Sequence, residues 1–141
     1  MPSLKQQSRI SCRLAEPGEG PLVQRLVAQG GGPTWDWLDW SSVYPYWLIG
    51  EVDGEPKGCV MASPGLPFGR IEMLCVDQAL PKKQKAILVR DLGYAAVASC
   101  KAMGCKAVLA TVGYGDESWA GVMKRRGWRE IDFGSFLVKR I

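Results

Sequence analysis

The residues best placed to do chemistry lie between Leu74 and Leu88. Leu74-Cys75-Val76 is an apolar strand, Asp77-Gln78-Ala79-Leu80-Pro81 is a turn, and Lys82-Lys83-Gln84-Lys85-Ala86-Ile87 opens a long amphipathic helix. A helix start presents backbone N–H groups with no partner and the positive end of the helix dipole. Such a place attracts anions, phosphates above all, and three lysines add to it. A phosphate-bearing ligand is one reading. The other is a solvated basic helix start that binds nothing, because the turn lacks the glycine that usually lets backbone approach a phosphate.

The order of elements must position this stretch. Ile10, Cys12 and Leu14 alternate with polar neighbours, so residues 9–14 read as a strand. A turn at 16–21 leads to a helix bearing Leu22, Val23, Leu26 and Val27, and Gly30-Gly31-Gly32-Pro33 stops it. Six aromatics then crowd together: Trp35, Trp37, Trp40, Tyr44, Tyr46 and Trp47. They roof a core or form an exposed surface for a partner or substrate. Trp47 favours the core; for Trp35 to Trp40 both readings stay open. Strands follow at 47–52 and 57–62, joined through Asp53-Gly54, a strong hairpin signal. A third strand at 70–76 places Ile71, Met73 and Cys75 on one face and Glu72, Leu74 and Val76 on the other, which marks it as central. Leu88, Leu92, Ala95, Ala96, Ser99 and Met103 stripe a helix over about 82–103, ended by Gly104. A central strand is expected at 107–112. A helix capped by Asp116 or Ser118 then runs to Arg126, with Gly127 as its stop, and 131–141 supplies one or two more strands.

Bulk properties bound the function. The 141 residues fit a single domain spanning 1–141, and 47% hydrophobic with 23% charged residues argues against disorder. A net charge of +4 suits anionic ligands without pointing to nucleic acid. No window has the apolar length of a membrane span, and the N-terminus lacks an apolar signal region; the expectation is a soluble, intracellular, cytoplasmic protein. Five cysteines, an odd number with no close metal-type pair, read as buried reduced thiols. Histidine is absent, which removes serine–histidine and cysteine–histidine nucleophile systems and argues against zinc.

The element order resembles the GCN5-related N-acetyltransferase family over nearly the whole chain. Ile10 to Pro17 looks like its first strand and turn, Val122 to Arg129 like its last helix and following turn, and Gly134 to Lys139 like its final strand. The resemblance implies the acyl-CoA N-acyltransferase fold: an α/β (α+β) domain with a mixed, mostly antiparallel sheet and helices on both faces. It implies that the backbone of Met73 to Val76, with Leu74, Cys75 and Val76 at its centre, pairs with the pantetheine arm of acetyl-CoA. It also implies that Lys82, Lys83, Gln84, Lys85, Ala86 and Ile87 meet the pyrophosphate. The family turn reads Arg/Gln-x-x-Gly-x-Gly/Ala. Started at Lys82, it puts Lys85 and Ile87 on the glycine positions; started at Pro81, it puts Gln84 and Ala86 there. A tyrosine that many members use as general acid corresponds to Met123, with Tyr114 out of register. Glu72 occupies the region where some members place the base. The bland reading of Glu72 is a strand-edge carboxylate in solvent or paired with Arg70.

Two functions stay open. One is a divergent N-acyltransferase that moves an acetyl group from acetyl-CoA, as co-substrate and without a metal, to a small-molecule or protein amine. The other is a non-catalytic scaffold in a larger assembly, a viral particle for example, in which Trp35, Trp37 and Trp40 make a protein contact or drive self-association. Neither reading calls for a membrane or nucleic acid.

Overall fold

The computed structural model describes residues 8–32, 44–65, 68–110 and 117–129. Among these, the order is β1 (Ile10–Leu14), α1 (Gly20–Gln29), a 3-10 turn (Tyr44–Tyr46), β2 (Trp47–Val52), β3 (Glu55–Ser63), β4 (Gly69–Val76), α2 (Lys82–Ala102), β5 (Val108–Ala110) and α3 (Glu117–Arg125). The chain divides into two compact units, Met1–Ala110 and Thr111–Ile141.

In the first unit the five strands form one sheet in the order β1-β2-β3-β4-β5. The first three pairings are antiparallel and β4–β5 is parallel. Asp53 and Gly54 turn the β2–β3 hairpin with φ of 52° and 82°, the left-handed pair that a tight hairpin needs. Ala15, Val23, Leu26 and Val27 pack with Trp47, Ile49, Cys59 and Cys75 as one buried cluster on the α1 face. Trp47 is fully buried, as its place in the sequence implies, and Tyr44 packs against the same cluster. On the opposite face α2 buries Leu88, Leu92, Ala96 and Cys100. Leu88 nests on two glycines: a Cβ at Gly50 would lie 2.5 Å from its Cδ1, and one at Gly58 would lie 3.1 Å from its Cδ2. The sheet is therefore mixed, mostly antiparallel, and covered on both faces.

The three described helices stop in the same way. At α1 the Gly31 N–H donates to Ala28 O (3.1 Å) and the Gly32 N–H to Val27 O (2.8 Å), with Gly31 at φ 77°. Gly104 and Gly127 repeat the pattern at φ 90° and 92°, with Cys105 N–H donating to Cys100 O and Trp128 N–H to Met123 O. This is the Schellman stop, and it places the residue after the glycine against the residue five before it.

Two sequence expectations are corrected. Met103 is 40% exposed and lies just past α2; Cys100 takes the fourth buried place in the stripe instead. Ile71 and Cys75 do not share a face. Ile71 pairs with Ala62, whereas Cys75 pairs with Cys59 in the α1-face cluster. The cause is a bulge: Cys59 faces Cys75 and Met61 faces Glu72, so Val60 alone opposes Met73 and Leu74. The extra residue reverses the alternation. Glu72 consequently shares the α1 face with Met61, and Val76 lies on the α2 face beside Gly58.

In the second unit, α3 ends in Lys124 and Arg125, cations suited to a helix C-terminus. Met123 is half-buried and its carbonyl accepts from Arg126 and Trp128 N–H groups. Trp35, Trp37, Trp40 and Tyr114, residues 111–112 of the expected 107–112 strand, and the strands expected in 131–141 lie outside the described residues.

Candidate functional site

β4 changes character halfway along. Gly69, Arg70 and Ile71 pair with Val108, Leu109 and Ala110 on one side, and Arg70 and Ile71 pair with β3 on the other. From Glu72 to Val76 the pairing is with β3, and among the described residues no strand pairs with the other edge. The change coincides with the bulge. Met73 stands at φ 56°, a left-handed conformation that costs a non-glycine residue about 1–2 kcal/mol. Packing of its side chain against the α1-face core holds it there. A bulge bends its strand and ends pairing on one edge. Backbone N–H and C=O groups on an edge that no described strand pairs are strong hydrogen-bonding groups that another extended chain can use.

The second half of β4 is held from the α1 side. A Cβ at Gly30 would lie 2.5 Å from the Cys75 Cβ and 3.1 Å from both its Cα and the Val76 nitrogen. A Cβ at Gly32 would lie 3.0 Å from the Cys75 sulfur. The glycine run thus lets the end of α1 lie directly on β4, a role that its reading as a helix stop did not reveal. Beneath it the Cys59 and Cys75 thiols share a hydrogen bond; that bond and burial push Cys59 well above the usual thiol range. The Cys75 side chain is thereby committed to the core, and its backbone is the part left for a ligand. The start of α1 is fixed by Arg13, whose guanidinium grips Glu19 at 2.7 and 2.9 Å. That grip lowers the Glu19 carboxyl to about 2.

β4 runs into α2 through a tight turn. Asp77 N–H donates to Lys57 O at 2.7 Å, and the Asp77 carboxylate accepts from Ala79 N–H at 2.9 Å with Lys57 Nζ 3.6 Å away. Pro81 precedes the helix at φ −54° and ψ 144°, with no side-chain cap and no acidic residue in the first turn. The first-turn N–H groups are therefore left for solvent or an anion. Lys82, Lys83 and Ala86 are exposed, and Ile87 is half-buried. Lys85 Nζ donates to Gln78 O at 3.5 Å, so its charge leans back over the turn. Gln84 is engaged elsewhere: its Nε2 donates to Ser8 Oγ at 2.7 Å.

Glu72 is the first residue of β4 that, among the described residues, has no partner strand on its second edge. Its carboxylate lies 3.1 Å from Arg70 Nη2, and the two side chains are 30% and 47% exposed. The structure brings Glu72, Leu74, Cys75 and Val76 onto one continuous strand segment and runs that segment directly into the lysine-bearing helix start. The bulge at Met73 went unread in the sequence, because methionine carries no signature of left-handed backbone.

Solved structures share this fold. The aminoglycoside N-acetyltransferase AAC(6')-Iy in complex with CoA superposes with a TM-score of 0.75 at 18% identity, covering 98% of this chain and 99% of that one. The same enzyme with the bisubstrate analogue CoA-S-monomethyl-acetylneamine gives 0.74 at 17% identity, covering 95% and 100%. Glucosamine-6-phosphate N-acetyltransferase from Arabidopsis thaliana gives 0.63 at 17% identity, covering 92% and 98%. No protein-family model matches the sequence, and no curated protein matches it. The fold is that of the GCN5-related N-acetyltransferases, the acyl-CoA N-acyltransferase fold, with a sequence far diverged from these structures.

Proposed function

We propose that this chain is an acyl-CoA-dependent N-acyltransferase that moves an acetyl group from acetyl-CoA to an amine. One observation carries the reading: the bulged half of β4, whose second edge no described strand pairs, continues without interruption into an uncapped, lysine-rich helix start. An extended pantetheine arm needs backbone partners along a strand edge, and a pyrophosphate needs N–H groups and positive charge at its end. Residues 72–85 offer these in that order. The missing glycines are compatible with this use, because the first-turn N–H groups of a helix point outward whatever the side chain, and Ala86 is exposed.

Acetyl-CoA supplies the activated acyl group as co-substrate. The chain's part is to hold the two reactants together, remove the amine's proton and orient the thioester. Leu74, Cys75 and Val76 hold the arm through backbone. Lys82, Lys83 and Lys85 attract the phosphates as point charges. Glu72, at the fork and partly open to solvent, takes the proton from the ammonium directly or through a water. The acceptor is a small-molecule or protein amine, reached from the α1 face on which Glu72 lies. That CoA-bound acetyltransferases share the fold supports the reading.

Calorimetric titration of the purified chain with acetyl-CoA tests it. A saturable heat is expected, diminished by salt. Absence of any heat would overturn the enzyme and favour a fold retained as a scaffold.

A further inference from the structure

A second chemical feature lies at the far end of β4. The Schellman stop of α2 places its third-last helical residue against the third residue beyond the end, a contact usually filled by apolar side chains. Here the two residues are Cys100 and Cys105, and the Cys105 N–H donates to Cys100 O at 3.1 Å. Their sulfurs converge on one point. A Cβ at Gly69 would lie 2.9 Å from the Cys105 sulfur and 3.0 Å from that of Cys100. Only a glycine at 69 leaves room for both. Both thiols are free, Cys100 buried and Cys105 half-exposed.

We propose that Cys100 and Cys105 form a thiol–disulfide exchange site that takes small disulfides of the glutathione class and closes to an intramolecular disulfide beside Gly69. Cys105 is the attacking thiol, because it is the one in reach of solvent. Burial pushes Cys100 up and keeps it a thiol until a partner sulfur is presented. Exposed Lys101 and Lys106 flank the pair and draw in the anionic glutathione disulfide. The Cys105 thiolate attacks one sulfur of that disulfide, its S–S bond breaks, and one glutathione thiolate leaves and takes up a proton. Cys100 then gives up its proton and attacks the Cys105 sulfur, expelling the second glutathione. Two protein thiols are oxidised and one small disulfide is reduced to two thiols, so two electrons balance.

The cross-strand pair Cys59–Cys75 serves as the internal control. Both residues are buried, at 0% and 7% exposure, and no sulfur there is open to an attacking disulfide. The product at 100–105 ties the end of α2 to the segment whose Ala107 carbonyl accepts the Gly69 N–H at 3.0 Å. Oxidation therefore locks the paired end of β4.

The experiment exposes the folded full chain to oxidised glutathione, alkylates the remaining thiols, and maps tryptic peptides by mass spectrometry. The expected product links peptide 91–101 to peptide 102–106, while Cys59 and Cys75 appear as alkylated thiols. In Cys100→Ala a stable glutathione adduct on Cys105 is expected, because the resolving sulfur is gone. A persistent adduct on Cys105 in the unaltered chain, unmodified Cys105, or a dominant cross-link through Cys59 or Cys75 would each overturn the assignment. Amide exchange reads the locking: the Gly69 N–H should exchange several-fold more slowly in the oxidised protein, and an unchanged rate would overturn that part.

Discussion

The two halves of β4 belong to one strand and obey different rules. Gly69 to Ile71 belongs to the paired interior, with β5 along one edge, β3 along the other at Arg70 and Ile71, and Cys100 of α2 against Gly69. Glu72 to Val76 keeps its β3 partner, carries the left-handed Met73, and rests against the glycine end of α1. A strand paired on both edges has its backbone hydrogen bonds consumed by the sheet. A half-strand that no described strand pairs on one edge has its backbone N–H and C=O groups to offer a ligand under the proposed function, and needs support from elsewhere to stay extended. The close seat of Gly30 and Gly32 is that support. What distinguishes the half of β4 proposed to bear the site from the other half is thus one extra residue and the glycines that brace it.

The sharpest way to break the comparison is at the boundary. If Glu72 removes the proton from the acceptor, Glu72→Gln keeps the shape and deletes the base. Turnover should fall about a hundredfold or more, some 2.7 kcal/mol of barrier, with acetyl-CoA affinity nearly unchanged. Arg70→Gln, two residues back in the doubly paired half, should change turnover much less. Steady-state kinetics with calorimetry separates the two. Equal losses, or an unaffected Glu72→Gln enzyme, would make the boundary structural and leave Glu72 as an ion-pair partner of Arg70.

Next in size is the brace. Gly30→Ala puts a Cβ 2.5 Å from the Cys75 Cβ, against a strand that cannot yield without losing its β3 pairing. Overpacking of this kind costs about 2 kcal/mol. Urea unfolding should show the loss. Amide exchange should rise around Cys75 and Val76 more than around Gly69, since the first half has its own supports. Uniform acceleration along β4 would show that the halves are not independently braced.

Much of this was legible in the sequence. Asp53-Gly54, Gly104 and Gly127 sit where left-handed backbone is required, so the hairpin and two helix ends were fixed by residue type. The strand at 47–52 and the helix beginning at Lys82 follow from period and from Pro81. The fold class followed from the order of these elements. The bulge was not legible, since Met73 adopts its φ only through packing on a core assembled from distant residues. The wrong face for Ile71 followed directly from that omission. Nor does a local pattern announce that Gln84 reaches Ser8, 76 residues away, or that Gly30 touches β4. Such approaches exist only once the fold brings the elements together.

A smaller effect sharpens the ligand side. Replacing Lys82, Lys83 and Lys85 together by alanine removes charge from the helix start and leaves the β4 edge intact. Acetyl-CoA affinity should drop about tenfold, near 1.4 kcal/mol, because exposed charges act through screened attraction. The salt dependence of binding should flatten at the same time. Calorimetry at two ionic strengths reads both. Unchanged affinity would confine the ligand to the strand edge and remove the helix start from the site.

The smallest expected effect concerns the far end of the brace. Arg13 holds Glu19 at the start of α1, and the Glu19 carboxyl falls to about 2 from an ordinary value of 4.5. A carboxyl lowered on folding stabilises the folded state above its unfolded pKa. That contribution fades as pH drops through the folded value. The window is therefore pH 4.5 down to about 2. With the pair partly open to solvent, the effect is on the order of 1 kcal/mol. Glu19→Gln should be less stable than the unaltered chain at pH 6, and the gap should close progressively toward pH 2. Urea midpoints measured across that range give the gap directly. A gap that stays constant with pH would mean that the carboxylate's charge does not hold α1, and that the brace on the open half of β4 rests on glycine contact alone.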